Sequence, residues 1–140
     1  MAVRYLLDTN ICTYIAKHNP PVVRERFARH SAAELVMSVI TLGELRFGAE
    51  KSQSRERALN AIHALEALMP VAPLPALAGE HYGQIRAGLQ AQGQPIGNND
   101  LWLAAHARTE GWILVTNNER EFARVEGLQM ENWVTASFGV

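Results

Sequence analysis

Short apolar segments alternate with longer amphipathic ones along the whole chain. Residues 3–7, 35–39, 71–74, 112–116 and 128–130 are apolar and short, which predicts five strands. Pro73 lies inside the third segment and therefore predicts an edge strand. Strands that alternate with helices are typical of a parallel sheet covered on both faces. We therefore predict one α/β domain over residues 1–140, with a parallel sheet of about five strands flanked by helices.

Helical periodicity and capping residues fill the intervals between these strands. We predict helices from residue 9, over 20–30, from residue 41, over 54–69, 76–92 and 100–109, and a short turn over 119–125. Asp8 or Thr9 is the expected cap of the first helix and Thr41 that of the third. Asn98 or Asn99 is expected to cap the helix that Asp100 begins.

Composition excludes several classes of protein. The chain has 140 residues, 48% of them hydrophobic, which is enough for one buried core and excludes a disordered chain. The formal net charge of -1 excludes a globally basic nucleic-acid binder, although a local basic face stays open. The single Cys12 cannot form an internal disulfide. No signal sequence or membrane-spanning run is present, and we expect a cytoplasmic protein without membrane attachment.

Three acidic residues stand out by position. Asp8 ends the first strand, Glu44 follows the second strand by a few residues, and Asp100 begins a helix. Parallel strands place their carboxyl ends at one edge, where α/β sheets bind ligands. Carboxylates brought together there repel one another unless a cation lies between them. The alternative is that Asp8 and Asp100 only cap helices and Glu44 is a solvated helix residue.

The remaining motifs narrow the chemistry. Asn10, Thr116 and Asn118 are candidates for neutral hydrogen bonds around such a cation. A phosphoaspartate phosphatase needs a carboxylate where Asn10 stands, and neither a phosphate-binding glycine loop nor zinc-type histidine spacing occurs. With these alternatives excluded, metal-assisted phosphodiester chemistry is the reaction class that remains.

A polyanionic substrate would require cations, and the apolar helices would allow a partner. Candidate RNA contacts are Arg24, Arg26, Arg29 and Arg46, with a solvated helix face as the alternative for each. Leu42, Leu45 and Phe47, with the helix predicted over 54–69, either form a groove for a partner segment or close the core.

Several segments together resemble the PIN-domain family, and most closely its VapC-type toxins. They are Leu7-Asp8-Thr9-Asn10, Ser38-Val39 with Gly43-Glu44-Leu45, Asn99-Asp100 before Ala104-Ala105-His106-Ala107, and Leu114-Val115-Thr116-Asn117-Asn118 with Arg120-Glu121-Phe122. The resemblance covers essentially the whole chain. It implies an endoribonuclease that cuts structured RNA and uses Mg²⁺, or Mn²⁺ as a substitute.

The resemblance also implies roles for residues and partners. Asp8 and Asp100 match the metal-binding aspartates and Glu44 matches the third acid, which makes these three the expected catalytic and metal-binding residues. Asn117 and Asn118 stand where the family often has a fourth acid, and Glu121 is the nearest substitute. A VapB-like antitoxin covering the active site, a homodimer and a larger assembly with the antitoxin are expected. Similarity to enterobacterial members suggests initiator tRNA, cut in the anticodon loop.

Two other functions stay open at this point. One is a housekeeping PIN nuclease of RNA maturation without an antitoxin. The other is a catalytically inactive PIN fold that only binds, for which Asn117 and Asn118 are the sole support.

Overall fold

A five-stranded parallel sheet forms the centre of the molecule, as a computed structural model that describes residues 3–135 shows. The strands are β1 (Tyr5–Leu7), β2 (Leu35–Ser38), β3 (Val71–Ala72), β4 (Ile113–Val115) and β5 (Met130–Glu131). Their spatial order is β3-β2-β1-β4-β5, and every neighbouring pair is parallel. The predicted fold class and the edge position of β3 are confirmed.

In the part of the chain that the structure describes, seven α-helices connect and cover these strands. They are α1 (Thr9–Lys17), α2 (Pro21–Phe27), α3 (Val39–Lys51), α4 (Arg55–Leu68), α5 (Ala78–Ala91), α6 (Asn98–Glu110) and α7 (Glu119–Phe122). Within residues 3–135 none of them is both long and apolar enough to cross a bilayer.

The sheet has a separate apolar cluster on each face. Successive side chains of a strand point to opposite faces, so Leu6 packs with residues of α5, α6 and α7, whereas Leu7 packs with residues of α1, α2 and α4. Both leucines are fully buried. The sheet is therefore covered on both sides, as its near-continuous apolar strands require.

Several predicted boundaries are wrong by one to three residues. The strands are shorter than their apolar segments because only two to four residues of each strand pair with a neighbouring strand. Thr41 does not begin the third helix, since α3 starts at Val39 and the Ser38 hydroxyl accepts the Ile40 N–H at 3.1 Å. Asp100 lies in the first turn of α6, whose cap position is Gly97.

The register of the three central strands decides where the polar residues meet. Leu7 of β1 pairs with Met37 of β2 and with Val115 of β4. The next residues along the chain are Asp8, Ser38 and Thr116, all of them buried and polar. They therefore lie level with one another at the carboxyl edge of the sheet.

Candidate active site

A small cavity opens at this carboxyl edge and brings the predicted acidic residues together. Its volume is about 130 Å³. It is lined by Asp8, Thr9, Asn10, Glu44, Asp100, Leu103, Asn118 and Phe122. The three acids come from three segments that are distant in sequence, so their convergence is produced by the fold.

Asp8 serves both as helix cap and as cavity wall. Its Oδ1 accepts the Ile11 N–H at 2.9 Å, and its own N–H donates to the Val115 carbonyl at 3.0 Å. Burial raises the pKa of Asp8, and hydrogen bonds from the Thr116 hydroxyl and the Ile11 N–H oppose that rise. The side chain is only 6% exposed. The capping role and the cation-binding role therefore do not exclude each other.

Glu44 reaches the cavity from α3 and is held by two neighbours that the sequence suggested only as helix caps. The Thr9 hydroxyl donates to Glu44 Oε1, and Asn99 Nδ2 donates to Oε2 at 3.3 Å. Thr9 and Asn99 each adjoin a predicted acid, Asp8 or Asp100, but the local pattern does not show their contact with Glu44. Because both carboxylate oxygens accept hydrogen bonds, Glu44 is not a freely solvated helix residue.

Asp100 lies next to a second acid, Glu121. Partial burial, a hydrogen bond with Glu121 and the negative charge of Glu121 raise the pKa of Asp100 to about 7. Burial also acts to raise the pKa of Glu121, but hydrogen bonds from Asn118, Asp100 and Gly97 outweigh it and the pKa is lowered. Asn118 Nδ2 donates to Glu121 Oε2 at 2.8 Å and the Gly97 N–H to Oε1 at 3.2 Å. Glu121 thus adjoins the acidic site through Asp100 and Asn118.

The three neutral candidates occupy different positions around the acids. The buried Thr116 hydroxyl accepts the Asn118 N–H at 2.9 Å and also bonds to Asp8. Asn118 lines the cavity, whereas Asn10 is exposed at its rim. Asn117 lies farther out, where it accepts from Asn132 Nδ2 at 3.1 Å.

The donor set suits a hard divalent cation, although the side chains are not arranged as a closed shell. Every polar group of the cavity offers oxygen, and oxygen donors are what Mg²⁺ and Mn²⁺ prefer. Over residues 3–135, no three Asp, Glu, His or Cys side chains stand close enough to enclose a metal ion. Glu44 accepts from Thr9 and Asn99, and Asp100 shares a hydrogen bond with Glu121, so these carboxylates offer an ion only their remaining lone pairs.

The four predicted RNA-binding arginines are not gathered around the cavity. Arg24 Nη1 donates to the Ile15 carbonyl at 2.9 Å and Arg26 Nη1 to the Asn132 carbonyl at 2.8 Å, so both brace the fold. Arg46 Nη2 lies 3.9 Å from Glu66 of α4, and Arg29 is exposed on the chain after α2. Their contact with RNA stays a prediction, and Arg24 and Arg26 have the weaker claim because their guanidinium groups already bind backbone.

An apolar groove runs between α1, α3 and α4. Leu45, Ala49, Ile62 and Leu65 are among its lining residues, and its volume is about 530 Å³. Phe47 does not join the core, since it is 63% exposed and lies beside Glu44 in a second, shallower concavity. Of the two alternatives for this set, Phe47 therefore does not close the core, and it does not line the groove with Leu45 either.

The sequence is similar over nearly its whole length to known ribonucleases. The family model described as PIN domain matches residues 5–128. The tRNA(fMet)-specific endonuclease VapC of Shigella flexneri is 47% identical over 131 residues, which cover 94% of this chain and 98% of the relative. Ribonuclease VapC2 of Haemophilus influenzae is 44% identical over 132 residues, with coverage of 94% and 99%.

Solved structures give the same result for the fold. A DNA-bound VapBC complex from Salmonella typhimurium superposes with a TM-score of 0.88 at 40% identity, over 94% of this chain and 99% of that one. VapBC-1 from nontypeable Haemophilus influenzae gives a TM-score of 0.87, also at 40% identity, over 95% and 100%.

Proposed function

This chain belongs to the PIN-domain family and, within it, to the VapC ribonucleases, and from that premise we propose that it is a Mg²⁺-dependent endoribonuclease toxin acting on structured RNA. The observation that carries the proposal is the cavity at the carboxyl edge of the sheet. There Asp8, Glu44 and Asp100 converge from three separate segments. The family relation supports the reaction class, and the convergence of the acids supports this cavity as its site.

Asp8, Asp100 and Glu44 would hold the ion, and Mn²⁺ would substitute for Mg²⁺. Burial and neighbouring negative charge raise the pKa of Asp8 and of Asp100, which is the condition that a bound cation relieves. When bound, such an ion lowers the pKa of a coordinated water and shields the charge of the attacked phosphate. Hydrolysis in line would leave a 5′-phosphate and a 3′-hydroxyl.

The protein's own groups orient these acids. The Ile11 N–H fixes one oxygen of Asp8, and the Thr9 and Asn99 side chains fix the two oxygens of Glu44. Asn118 holds Glu121 beside Asp100, so Glu121 acts on the site through Asp100. We propose that Asn10, Thr116, Asn118 and Glu121 position the acidic residues and water without being essential ligands.

Initiator tRNA, cut in the anticodon loop, is the substrate that we propose. The support is the relative from Shigella flexneri, which is 47% identical and is a tRNA(fMet)-specific endonuclease. RNA loops offer unstacked bases and an accessible phosphate. Exposed arginines such as Arg29 and Arg46 would contact the backbone.

A VapB-like antitoxin is the proposed partner. The similar structures from Salmonella typhimurium and Haemophilus influenzae are VapBC complexes. The groove between α1, α3 and α4 has the apolar lining that a helical antitoxin segment needs. We further propose a homodimer that joins a larger assembly with the antitoxin.

These relatives also bear on the two alternative functions. The VapBC complexes among them favour a toxin with an antitoxin over a housekeeping nuclease. An inactive binding module rested on Asn117 and Asn118. Since Asn118 lines the cavity and holds Glu121, an asparagine there fits a working site as well as a degenerate one.

The test is RNA cleavage by the purified chain, freed of any antitoxin. With Mg²⁺ or Mn²⁺ we expect cleavage of initiator tRNA, loss of cleavage with EDTA, and recovery when metal is added back. Asp8→Asn should lower the rate by about a thousandfold or more, because it removes a cation-binding charge but keeps the cap. Calorimetry should show weaker Mn²⁺ binding by the same variant.

The matched control is Glu110→Gln, which removes an exposed carboxylate at the far end of α6. Its cleavage rate and Mn²⁺ affinity should equal those of the wild type. Cleavage at the wild-type rate by Asp8→Asn would overturn the assignment of the site. Cleavage of other RNAs but not of initiator tRNA would overturn only the substrate.

A further inference from the structure

A second cavity lies beside the acidic one, between α5 and α6. Its volume is about 190 Å³, the space of roughly six waters in the liquid. Its lining residues are Arg86, Leu89, Gln90, Pro95, Ile96, Asn98 and Leu101. The leucines are almost fully buried, so the inner wall is apolar, while the polar side chains stand at the exposed rim. The space suits one planar ring system and is too small for a protein segment.

The polar rim is held in place by a chain of hydrogen bonds. Arg86 Nη1 donates to the Tyr82 hydroxyl at 2.8 Å, and that hydroxyl donates to Asn98 Oδ1. The Tyr82 ring is itself stacked on Trp102, with ring centroids 3.9 Å apart and an angle of 19°. Arg86 thereby has one N–H engaged and an orientation fixed by an immobilised aromatic ring.

Arg86 has donors to spare. No carboxylate within residues 3–135 forms an ion pair with it, and its remaining N–H groups make no hydrogen bond in that range. A guanidinium offers only donors, so it would bind a ligand edge that carries acceptors. Gln90 and Asn98 add amides that both donate and accept.

The position of the cavity connects it to the proposed reaction. Asn98 and Leu101 line it, and Asp100 lies between them in the first turn of α6. Gly97 lies close to both acids. Asp100 Oδ2 is 3.8 Å from the position that a Cβ atom would take on Gly97, and the Gly97 N–H donates to Glu121. The loop of residues 95–97 therefore lies between the two cavities: Pro95 and Ile96 line the second one, and Gly97 lies against the acids of the first.

A second cationic side chain, that of Arg124, contacts the same loop. Arg124 Nη1 donates to the Pro95 carbonyl at 3.3 Å, and its positive charge helps to lower the pKa of Glu121. Arg124 beside Glu121 and Arg86 in the cavity lined by Pro95 and Ile96 thus place two positive charges near this loop, in a chain of net charge -1. A polyanion whose phosphate enters the acidic cavity would pass these two arginines.

We propose that the cavity between α5 and α6 binds one unstacked nucleobase of the RNA substrate, next to the cleaved phosphate. The base would lie against Ile96 and the leucines and present an acceptor-bearing edge to Arg86. Unpaired loop bases are read by apolar contact and by hydrogen bonds to their edges. The inference rests on the proposed ribonuclease activity and adds a residue-level basis for which loop position is cut.

The test couples a protein change to the removal of a base. The cleavage site is first mapped from RNA 5′ ends in cells, and the RNA loop around it is synthesised with one abasic nucleotide at each position in turn. Single-turnover kcat/KM is then measured for the wild type, Arg86→Gln and Ile96→Trp, of which the last fills the cavity. For the wild type we expect one position near the cut where base removal lowers kcat/KM on the order of tenfold.

Both variants should lose about tenfold on the intact RNA and lose nothing more at that abasic position. The control is Arg57→Gln, which removes an exposed arginine of α4 that makes no ion pair within the described residues. It should behave as the wild type on every RNA. Circular dichroism and urea unfolding check that each variant is folded, and the two substitutions act independently on the same cavity.

The outcomes separate the two proposals. Cleavage by the wild type with equal base-removal penalties in all variants would overturn the nucleobase site and leave the ribonuclease standing. Variants that lose antitoxin binding but keep the wild-type pattern of base dependence would overturn it in favour of a protein contact. Absence of RNA cleavage by the wild type would overturn the proposed function, and this inference with it.

Discussion

Two neighbouring strands pass into helices in the same way, but only one of the two junctions carries a charge. Asp8 follows β1 and caps α1 by accepting the Ile11 N–H at 2.9 Å. Ser38 ends β2 and caps α3 by accepting the Ile40 N–H at 3.1 Å. They lie side by side at the carboxyl edge, and Asp8 is 6% and Ser38 0% exposed.

The surroundings of the two caps differ. Asp8 faces the acidic cavity, with Glu44 and Asp100 across it. Ser38 faces the buried His106, whose Nδ1 lies 2.8 Å from the Ser38 oxygen. Because that oxygen accepts from Ile40, we assign its hydrogen to His106 Nδ1, which leaves the imidazole neutral with its proton on Nε2. Nε2 has no hydrogen-bond partner within residues 3–135.

The two junctions differ in charge, and folding does not require the negative charge of Asp8. A neutral oxygen suffices to cap a helix, as Ser38 demonstrates, and serine, asparagine and aspartate cap about equally well. The negative charge of Asp8 is therefore additional, and burial disfavours it, as its raised pKa shows. A buried charge that the fold does not require is a mark of function.

The largest effect is expected when the charge is moved to the closed junction. Ser38→Asp would bury a carboxylate next to a neutral imidazole with no access to a cation, and should lower the free energy of unfolding by at least about 3 kcal/mol. Ser38→Ala, the control, loses the cap and the hydrogen bond with His106 but buries no charge, and it should cost about 2 kcal/mol. Urea denaturation measures both. Equal stability of the two variants would show that this junction tolerates charge and would remove the contrast with Asp8.

The reverse change should raise stability. In EDTA, Asp8→Asn keeps the cap and removes the buried charge. The raised folded pKa of Asp8 means that the wild type loses stability as pH rises above the unfolded value near 3.8. Asp8→Asn should therefore exceed the wild type at pH 7 and approach it near pH 4, with a difference that grows by no more than about 1.4 kcal/mol for each pH unit.

Urea unfolding of the metal-free proteins between pH 4 and 8 gives this profile. Glu110→Gln is again the matched control, because the Glu110 carboxylate is exposed and its removal relieves no burial. A less stable Asp8→Asn at pH 7 would mean that the charge supports the fold and would weaken the functional argument.

The sequence was sufficient for the sheet and for the acids because both follow from local pattern. Apolar segments separated by amphipathic ones predicted five parallel strands, and the carboxyl edge followed from their direction. Asp8, Glu44 and Asp100 were identified because each is an acid near a strand end or a helix start. The structure brings all three to one cavity.

What the sequence missed depends on contacts between distant segments. Nothing in the local pattern shows that Ser38 and His106, 68 residues apart, share a hydrogen bond, so the surroundings of the Ser38 cap could not be predicted. The same holds for Arg86, whose orientation needs Tyr82, Asn98 and Trp102 from two helices. Side-chain periodicity predicts which face of a helix is buried, but not which polar group meets which.

The smallest effect distinguishes the two junctions by the sign of their response to pH. Burial lowers the pKa of His106 below its ordinary value near 6.5. The unfolded chain therefore takes up a proton at His106 before the folded one does, and stability is lost as pH falls below 6.5, by at most about 1.4 kcal/mol per pH unit.

The charge on Asp8 acts in the opposite direction, so the loss is seen most clearly in the Asp8→Asn background. There, in EDTA, a further His106→Asn substitution should flatten the unfolding free energy between pH 6.5 and 5, since asparagine keeps an acceptor for Ser38 but does not titrate.

His63→Asn, at an exposed position of α4, should leave the slope of unfolding free energy against pH unchanged. An unaltered slope in the His106 variant would mean that the imidazole is protonated inside the fold, and the neutral closed junction would no longer contrast with the charged open one.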